Sequence, residues 1–252
     1  MEVRWFVLLS FVFLVSGKYR PVCKTKIDLA FVIDSSASIR KSDFRKQIKF
    51  VNDFVDFLDV GSGATRVAAV SFSNDKFPHF GFNDYTTKKD VLSAINYIQH
   101  SRGPATRTYL ALKYTHEHIF APDNGERSDV IDVVIVLTDG HSQRRIHTQS
   151  EAALIKDRGA FIFAIGVGRY ISVDELNEIS SDPDQKFTIL VSSFSQLNSD
   201  EVKEMLLKRA CFETMECQTG SKCPPGNGAQ NVYILVLTFT RTIIISSVLF
   251  YF

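Results

Sequence analysis

Asp34, Ser36 and Ser38 stand in a D-x-S-x-S pattern at the end of a continuous apolar run, Leu29 to Ile33. Such a run reads as a buried strand, so one carboxylate and two hydroxyls are delivered together where a strand stops. Two later segments end in similar donors. Gly103-Pro104-Ala105-Thr106-Arg107-Thr108 is a polar loop opening a helical pattern, and Val133 to Thr138 is a second buried-strand run ending in Asp139-Gly140. Carboxylate and hydroxyl oxygens suit a hard divalent cation, Mg²⁺ first, with Mn²⁺ or Ca²⁺ as alternatives. An isolated D-x-S-x-S also builds helix caps and turns, so the agreement of three segments carries the inference.

Catalytic chemistry finds less support. His116 and His118 lie two apart on a predicted helix and point in different directions, unlike metal ligands at four-residue spacing. His141 lies close to Asp139 but has no companion base. No G-x-x-x-x-G-K-[ST] occurs, and Gly61-Ser62-Gly63 precedes a strand instead of a helix, so it is a turn and not a phosphate loop. Metal-assisted hydrolysis by the same oxygens is the remaining enzymatic alternative.

The elements that must position these donors alternate along the chain. Ser42 can cap a helix whose apolar positions are Phe44, Ile48, Val51, Val55 and Leu58. Strands are predicted at Arg66–Ser73, Phe77–Phe82, Asp129–Thr138 and Ala160–Val167. Helices are predicted at Thr108–Phe120, Thr148–Arg158, Val173–Ser180 and Phe194–Arg209, with Thr87-Lys88-Lys89-Asp90 as a capping box before another. This order implies a doubly wound α/β fold: a mostly parallel central sheet with one antiparallel edge strand and helices on both faces, a Rossmann-like arrangement. In such sheets ligands bind outside the carboxyl ends of the strands, where the Asp34 and Asp139 segments fall.

Together these segments resemble the three-loop signature of the von Willebrand factor type A (VWA) domain, and the likeness runs from about Cys23 to Cys211. The resemblance implies a metal-ion-dependent adhesion site: Ser36, Ser38 and Thr106 supply hydroxyl ligands, and Asp34 and Asp139 act directly or through water. It also implies the partner chemistry, in which an Asp or Glu of another protein completes the cation's shell. The chain is similar to the A domains of matrilins, cochlin and fibrillar-associated collagens. The expected function is therefore extracellular adhesion, to a collagen or another matrix protein. A structural matrix module that docks without its metal is the alternative.

Two departures from the usual family pattern lie near the metal face. Tyr109 stands where Gly is common, and Arg144-Arg145 where acidic residues are common. Every metal loop has basic neighbours: Arg40 and Lys41, Arg102 and Arg107, Arg144 and Arg145. With Tyr109 and His141 they form a partner-binding rim if they converge; otherwise they are ordinary solvated loop charge.

Length and composition set the bounds. The 252 residues suit one domain with appendages, and a formal charge of +1 offers no basic field for nucleic acid. Residues 1–17 read as a secretory signal peptide, which places the cysteines in an oxidising compartment. Cys23 precedes the first strand and Cys211 follows the last helix, which returns antiparallel to its strand. Both fall on the face opposite the metal. The expected pairs are Cys23 with Cys211, worth about 4–5 kcal/mol in the chain-entropy model, and Cys217 with Cys223. The domain is thus 23–211. A Cys-, Pro- and Gly-containing segment follows at 212–231, then a hydrophobic tail at 232–252, read as a GPI-anchor signal, a membrane span interrupted by Arg241, or neither. The expected location is secreted, in the extracellular matrix, or on the cell surface if the tail anchors the chain.

Overall fold

β1 (Ile27–Asp34) is buried at every position, as a strand covered on both faces must be. It is central in a computed structural model that describes residues 26–218, with side chains through Cys211. The expected signal peptide, the hydrophobic tail, Cys23, Cys223 and the side chain of Cys217 lie outside the described residues. Cys211 is disulfide-bonded. No described helix is long and apolar enough to cross a membrane.

The sheet has the order β3-β2-β1-β4-β5-β6, formed by β1, β2 (Arg66–Phe72), β3 (Lys76–Phe80), β4 (Ile131–Thr138), β5 (Phe161–Val167) and β6 (Thr188–Val191). All neighbours are parallel except the antiparallel β2–β3 edge pair. The chain leaves β1 towards β2 and later returns to the other side of β1 as β4. The gap between β1 and β4 is therefore the topological switch point, and Asp34 and Asp139 sit at its two lips.

Strand side chains alternate between two cores. Leu29, Phe31 and Ile33 pack with Phe50 and Phe54 of α1 (Lys41–Asp56), Val91 and Ile95 of α2 (Lys88–Asn96), and Leu206 of α8 (Asp200–Gln218). Ala30, Val32, Ala68 and Ala164 face Ala111 and Leu112 of α3 (Thr108–Tyr114), Ala152 and Ile155 of α4 (Arg145–Asp157), and Leu176 of α5 (Val173–Ile179). Small strand residues on this second face let α3 and α4, which carry two of the metal loops, lie close to the sheet. The short helices α6 (Asp184–Phe187) and α7 (Phe194–Leu197) flank β6.

Some boundaries differ from expectation. Arg40, not Ser42, is the N-cap of α1, because Asp43 and Phe44 already donate to the Arg40 carbonyl. The expected helix to Phe120 widens into a π turn at Thr115–Ile119, where the Thr115 hydroxyl donates to the Ala111 carbonyl at 2.8 Å. β3 ends at Phe80 and carries Pro78, which an edge strand tolerates. α4 starts at Arg145, and the last helical run divides into α7 and α8. β6 has no counterpart in the sequence-based assignment. The Thr87 cap is as expected, accepting from the Asp90 amide at 3.2 Å.

Candidate metal centre

Asp34 ends β1 with no exposed surface. Its Oδ1 accepts from the Ser36 amide at 2.9 Å and its Oδ2 from the Thr138 hydroxyl at 2.8 Å. The chain of oxygens continues: the Ser36 and Ser38 hydroxyls are 2.9 Å apart, and Ser38 donates to Asp139 Oδ1 at 2.8 Å. Four of the five expected ligands thus form one hydrogen-bonded cluster at the switch point. Thr106 lies on the adjoining loop, where its carbonyl accepts from the Gln143 amide at 2.9 Å. The Thr106 hydroxyl makes no hydrogen bond among the described residues.

Main-chain contacts hold the loops together. Ser36 bridges to Gly103, the Ala37 amide donates to the Gly103 carbonyl at 2.9 Å, and the Arg102 amide to the Ser35 carbonyl at 2.9 Å. Gly103 is required by space: a Cβ there would stand 1.9 Å from Asn74 Oδ1 and 2.4 Å from Ser73 Oγ. The Asp139 loop is pinned by Glu175 of α5, whose carboxylate accepts from the Ser142 amide at 2.9 Å.

The electrostatics fit a cation. Burial pushes the Asp34 carboxyl up to about 6, with Ser36 and Thr138 opposing the shift and the Asp139 charge adding to it. Asp139 is also raised, again mainly by burial. Among the described residues neither carboxylate has a Lys, Arg or His partner. A fully buried carboxylate with a second, half-buried one nearby and no counter-charge is costly, and a divalent cation coordinated by these oxygens would remove that cost. Oxygen-only donors of this kind match Mg²⁺, Mn²⁺ or Ca²⁺ better than a thiolate- or imidazole-seeking ion. No group of three or more His, Cys, Asp or Glu side chains suited to a metal occurs among the described residues, so the hydroxyls are integral to this site.

Three supporting residues were not identified from sequence. Gln47 of α1 is fully buried and donates to the Asp34 carbonyl at 2.7 Å. His100 stacks on Phe44 with ring centroids 4.4 Å apart and places Nε2 3.1 Å from the Ser36 carbonyl. Thr138 bonds Asp34 directly. A buried Gln on an otherwise apolar helix face was the one available signal for Gln47. Nothing local marks the other two.

The basic rim divides in the structure. Arg40, Lys41, Arg102, Arg107 and Arg144 are exposed and have no carboxylate partner among the described residues. Arg107 donates to the Asn74 carbonyl at 3.2 Å. Arg145 is neutralised by Glu178 through two bonds of 2.7 and 2.6 Å, and His141 Nδ1 stands 3.9 Å from Glu175. Tyr109 lies beneath Arg144, whose guanidinium carbon is 5.8 Å from the ring centroid.

Residues 28–203 match the model of the von Willebrand factor type A domain. Matrilin-1 of Bos taurus is 35% identical over 206 residues, covering 80% of this chain and 37% of that protein. Cochlin of Bos taurus is 29% identical over 196 residues, covering 78% of this chain and 34% of that protein. The chain thus spans little more than a third of these relatives. Among solved structures, proximal thread matrix protein 1 from the mussel byssus superposes with a TM-score of 0.70 at 27% identity, covering 75% of this chain and 49% of that one. The same mussel protein with a zinc-occupied MIDAS motif gives 0.68 at 30% identity, covering 75% and 47%. The chain belongs to the von Willebrand factor type A domain family.

Proposed function

We propose that this chain is an extracellular matrix-binding protein that uses Asp34, Ser36, Ser38, Thr106 and Asp139 to hold a divalent cation, Mg²⁺ by preference. The observation that carries the reading is the buried Asp34 carboxylate linked through serine hydroxyls to the half-buried Asp139, with no cationic side chain paired to either among the described residues. Bound there, the cation would offer an electrophilic position to a carboxylate of the partner, a collagen or another matrix protein. The protein's own part is positional: strand ends and cross-loop hydrogen bonds keep the oxygens convergent before a cation arrives. The zinc-occupied motif of the mussel protein supports a divalent cation of some kind at this place in the fold.

No catalytic role is proposed, because the relatives that the chain matches are matrilin-1 and cochlin. Secretion through residues 1–17 fits a matrix role, and surface retention through residues 232–252 is the alternative placement. Capture of matrix proteins by the secreted chain in Mg²⁺ and in EDTA tests the reading. Binding that persists in EDTA and in Asp34→Ala would make this a metal-independent module.

Gln47→Leu tests the positional part. The substitution removes the donor to the Asp34 carbonyl but also removes Gln47 Oε1, a buried oxygen without a partner. Stability is expected to fall by only about 1 kcal/mol, because lost bond and relieved oxygen offset one another. Mn²⁺ affinity measured by calorimetry is expected to fall about tenfold, since the strand end is no longer held. A drop in melting temperature with unchanged Mn²⁺ affinity would reduce Gln47 to a packing residue.

A further inference from the structure

Arg144 and Arg145 are neighbours in sequence with opposite fates. Arg145 forms a two-pronged pair with Glu178 through Nε and Nη2, so its charge is compensated within the protein. Arg144 is fixed only through its main chain: its amide donates to Ser142 Oγ at 3.3 Å and its carbonyl accepts from the Thr148 hydroxyl at 3.2 Å. Its side chain meets no carboxylate among the described residues and lies over the half-buried Tyr109 ring. His147, one turn into α4, approaches the same ring with centroids 5.7 Å apart at 55°. The cluster adjoins the metal loops directly, because Gln143, the residue before Arg144, donates to the Thr106 carbonyl.

A guanidinium resting on an aromatic ring keeps its N–H groups free, and the ring limits the conformations it must give up on binding. Those N–H groups match the planar oxygens of a carboxylate. We propose that Tyr109, Arg144 and His147 form a second carboxylate subsite beside the metal, so that the preferred partner is a protein segment with two acidic residues. One acid is for the cation and the other for Arg144. This deepens the adhesion reading and rests on it for the first acid only.

The test uses the secreted full-length chain on a biosensor surface. The probes are synthetic Gly/Ser peptides of equal length carrying either one Glu, or two Glu separated by zero to four residues. In Mg²⁺ the best two-Glu peptide is expected to bind about tenfold more tightly than the one-Glu peptide, the worth of one charge-assisted pair. Arg144→Gln should remove that preference, bringing two-Glu binding down to the one-Glu level, while calorimetry shows Mg²⁺ still bound. Arg144→Lys, which keeps the charge but not the fork, should restore only part of it.

One-Glu binding that is lost in EDTA, without any two-Glu preference, would overturn the subsite and leave the metal reading intact. A two-Glu preference that survives EDTA and disappears in Arg144→Gln would establish the subsite and overturn the metal reading. If the chain instead retains a heparin oligosaccharide through Arg144 and neither peptide, the group recognises sulfate and the proposal is wrong.

Discussion

Asp34→Asn is expected to abolish divalent-cation binding and at the same time to stabilise the metal-free protein. The substitution keeps the side chain's shape and removes a charge that has no exposed surface, no cationic partner among the described residues, and the Asp139 carboxylate as a neighbour. Burial raises the Asp34 carboxyl to about 6, so at pH 7.5 the folded state holds an ion it binds less favourably than the unfolded chain does. Relief of that cost is expected to be about 1–3 kcal/mol without metal. The Thr138 hydroxyl can turn to accept from the new amide, so the contact need not be lost. With saturating Mg²⁺ the order reverses, because only the wild type gains binding free energy. Thermal unfolding of both proteins with Mg²⁺ and with EDTA reads this directly. A variant less stable than wild type in EDTA would show that the carboxylate serves the fold, and a variant still stabilised by Mg²⁺ would remove Asp34 from the site.

The placement of Asp34 and Asp139 was legible because each follows a long apolar run where it meets a polar loop, whereas Thr106 lies in a polar loop with no such run before it. Asp34 and Asp139 need no tertiary information to be placed at strand ends, and the order of strands put those ends together. What holds the donors was hidden for a definite reason. Gln47 reaches Asp34 across 13 residues, His100 reaches Ser36 across 64, and Thr138 reaches Asp34 across 104, so no local pattern names their partners, and only Gln47, a polar residue on an apolar helix face, stands out at all. The unequal use of Arg144 and Arg145 depends on Glu178, 33 residues beyond Arg145 and on another helix. β6 was missed because four residues, one of them exposed, carry too little periodicity to stand out from a loop. The Thr115 hydroxyl altered a helix whose apolar spacing continued unchanged past it.

The end of the sheet opposite the metal provides a second large effect. Asp28 of β1 has no exposed surface, and Arg127 surrounds it: Nε donates to Oδ1 at 2.9 Å, a terminal nitrogen to Oδ1 at 2.6 Å, and the main-chain amide to Oδ2 at 2.7 Å. Burial nevertheless outweighs Arg127 and leaves Asp28 above the usual carboxylate range. Arg127→Ala keeps the amide bond but strips the counter-charge, and a loss of about 3–5 kcal/mol at pH 7.5 is expected in urea unfolding. The loss should shrink at a lower pH, because with the guanidinium gone burial favours the protonated Asp28 carboxyl. Asp28→Asn combined with Arg127→Leu should recover most of it. Asp132, beside this pair, adds a pH dependence of its own. It meets Arg158 at 3.3 Å through Oδ2, while Oδ1 is buried without a partner, and burial raises it to about 7. A folded-state value above the unfolded one means that its stability is fully present below the unfolded value, near 4, and is lost as pH rises through 7. Between pH 6 and 8 this amounts to about 1.4 kcal/mol, which Asp132→Asn should eliminate. Equal losses for Arg127→Ala at both pH values would mean that Asp28 stays charged. An Asp132→Asn protein that follows the wild-type pH curve would mean that Asp132 does not titrate in this range.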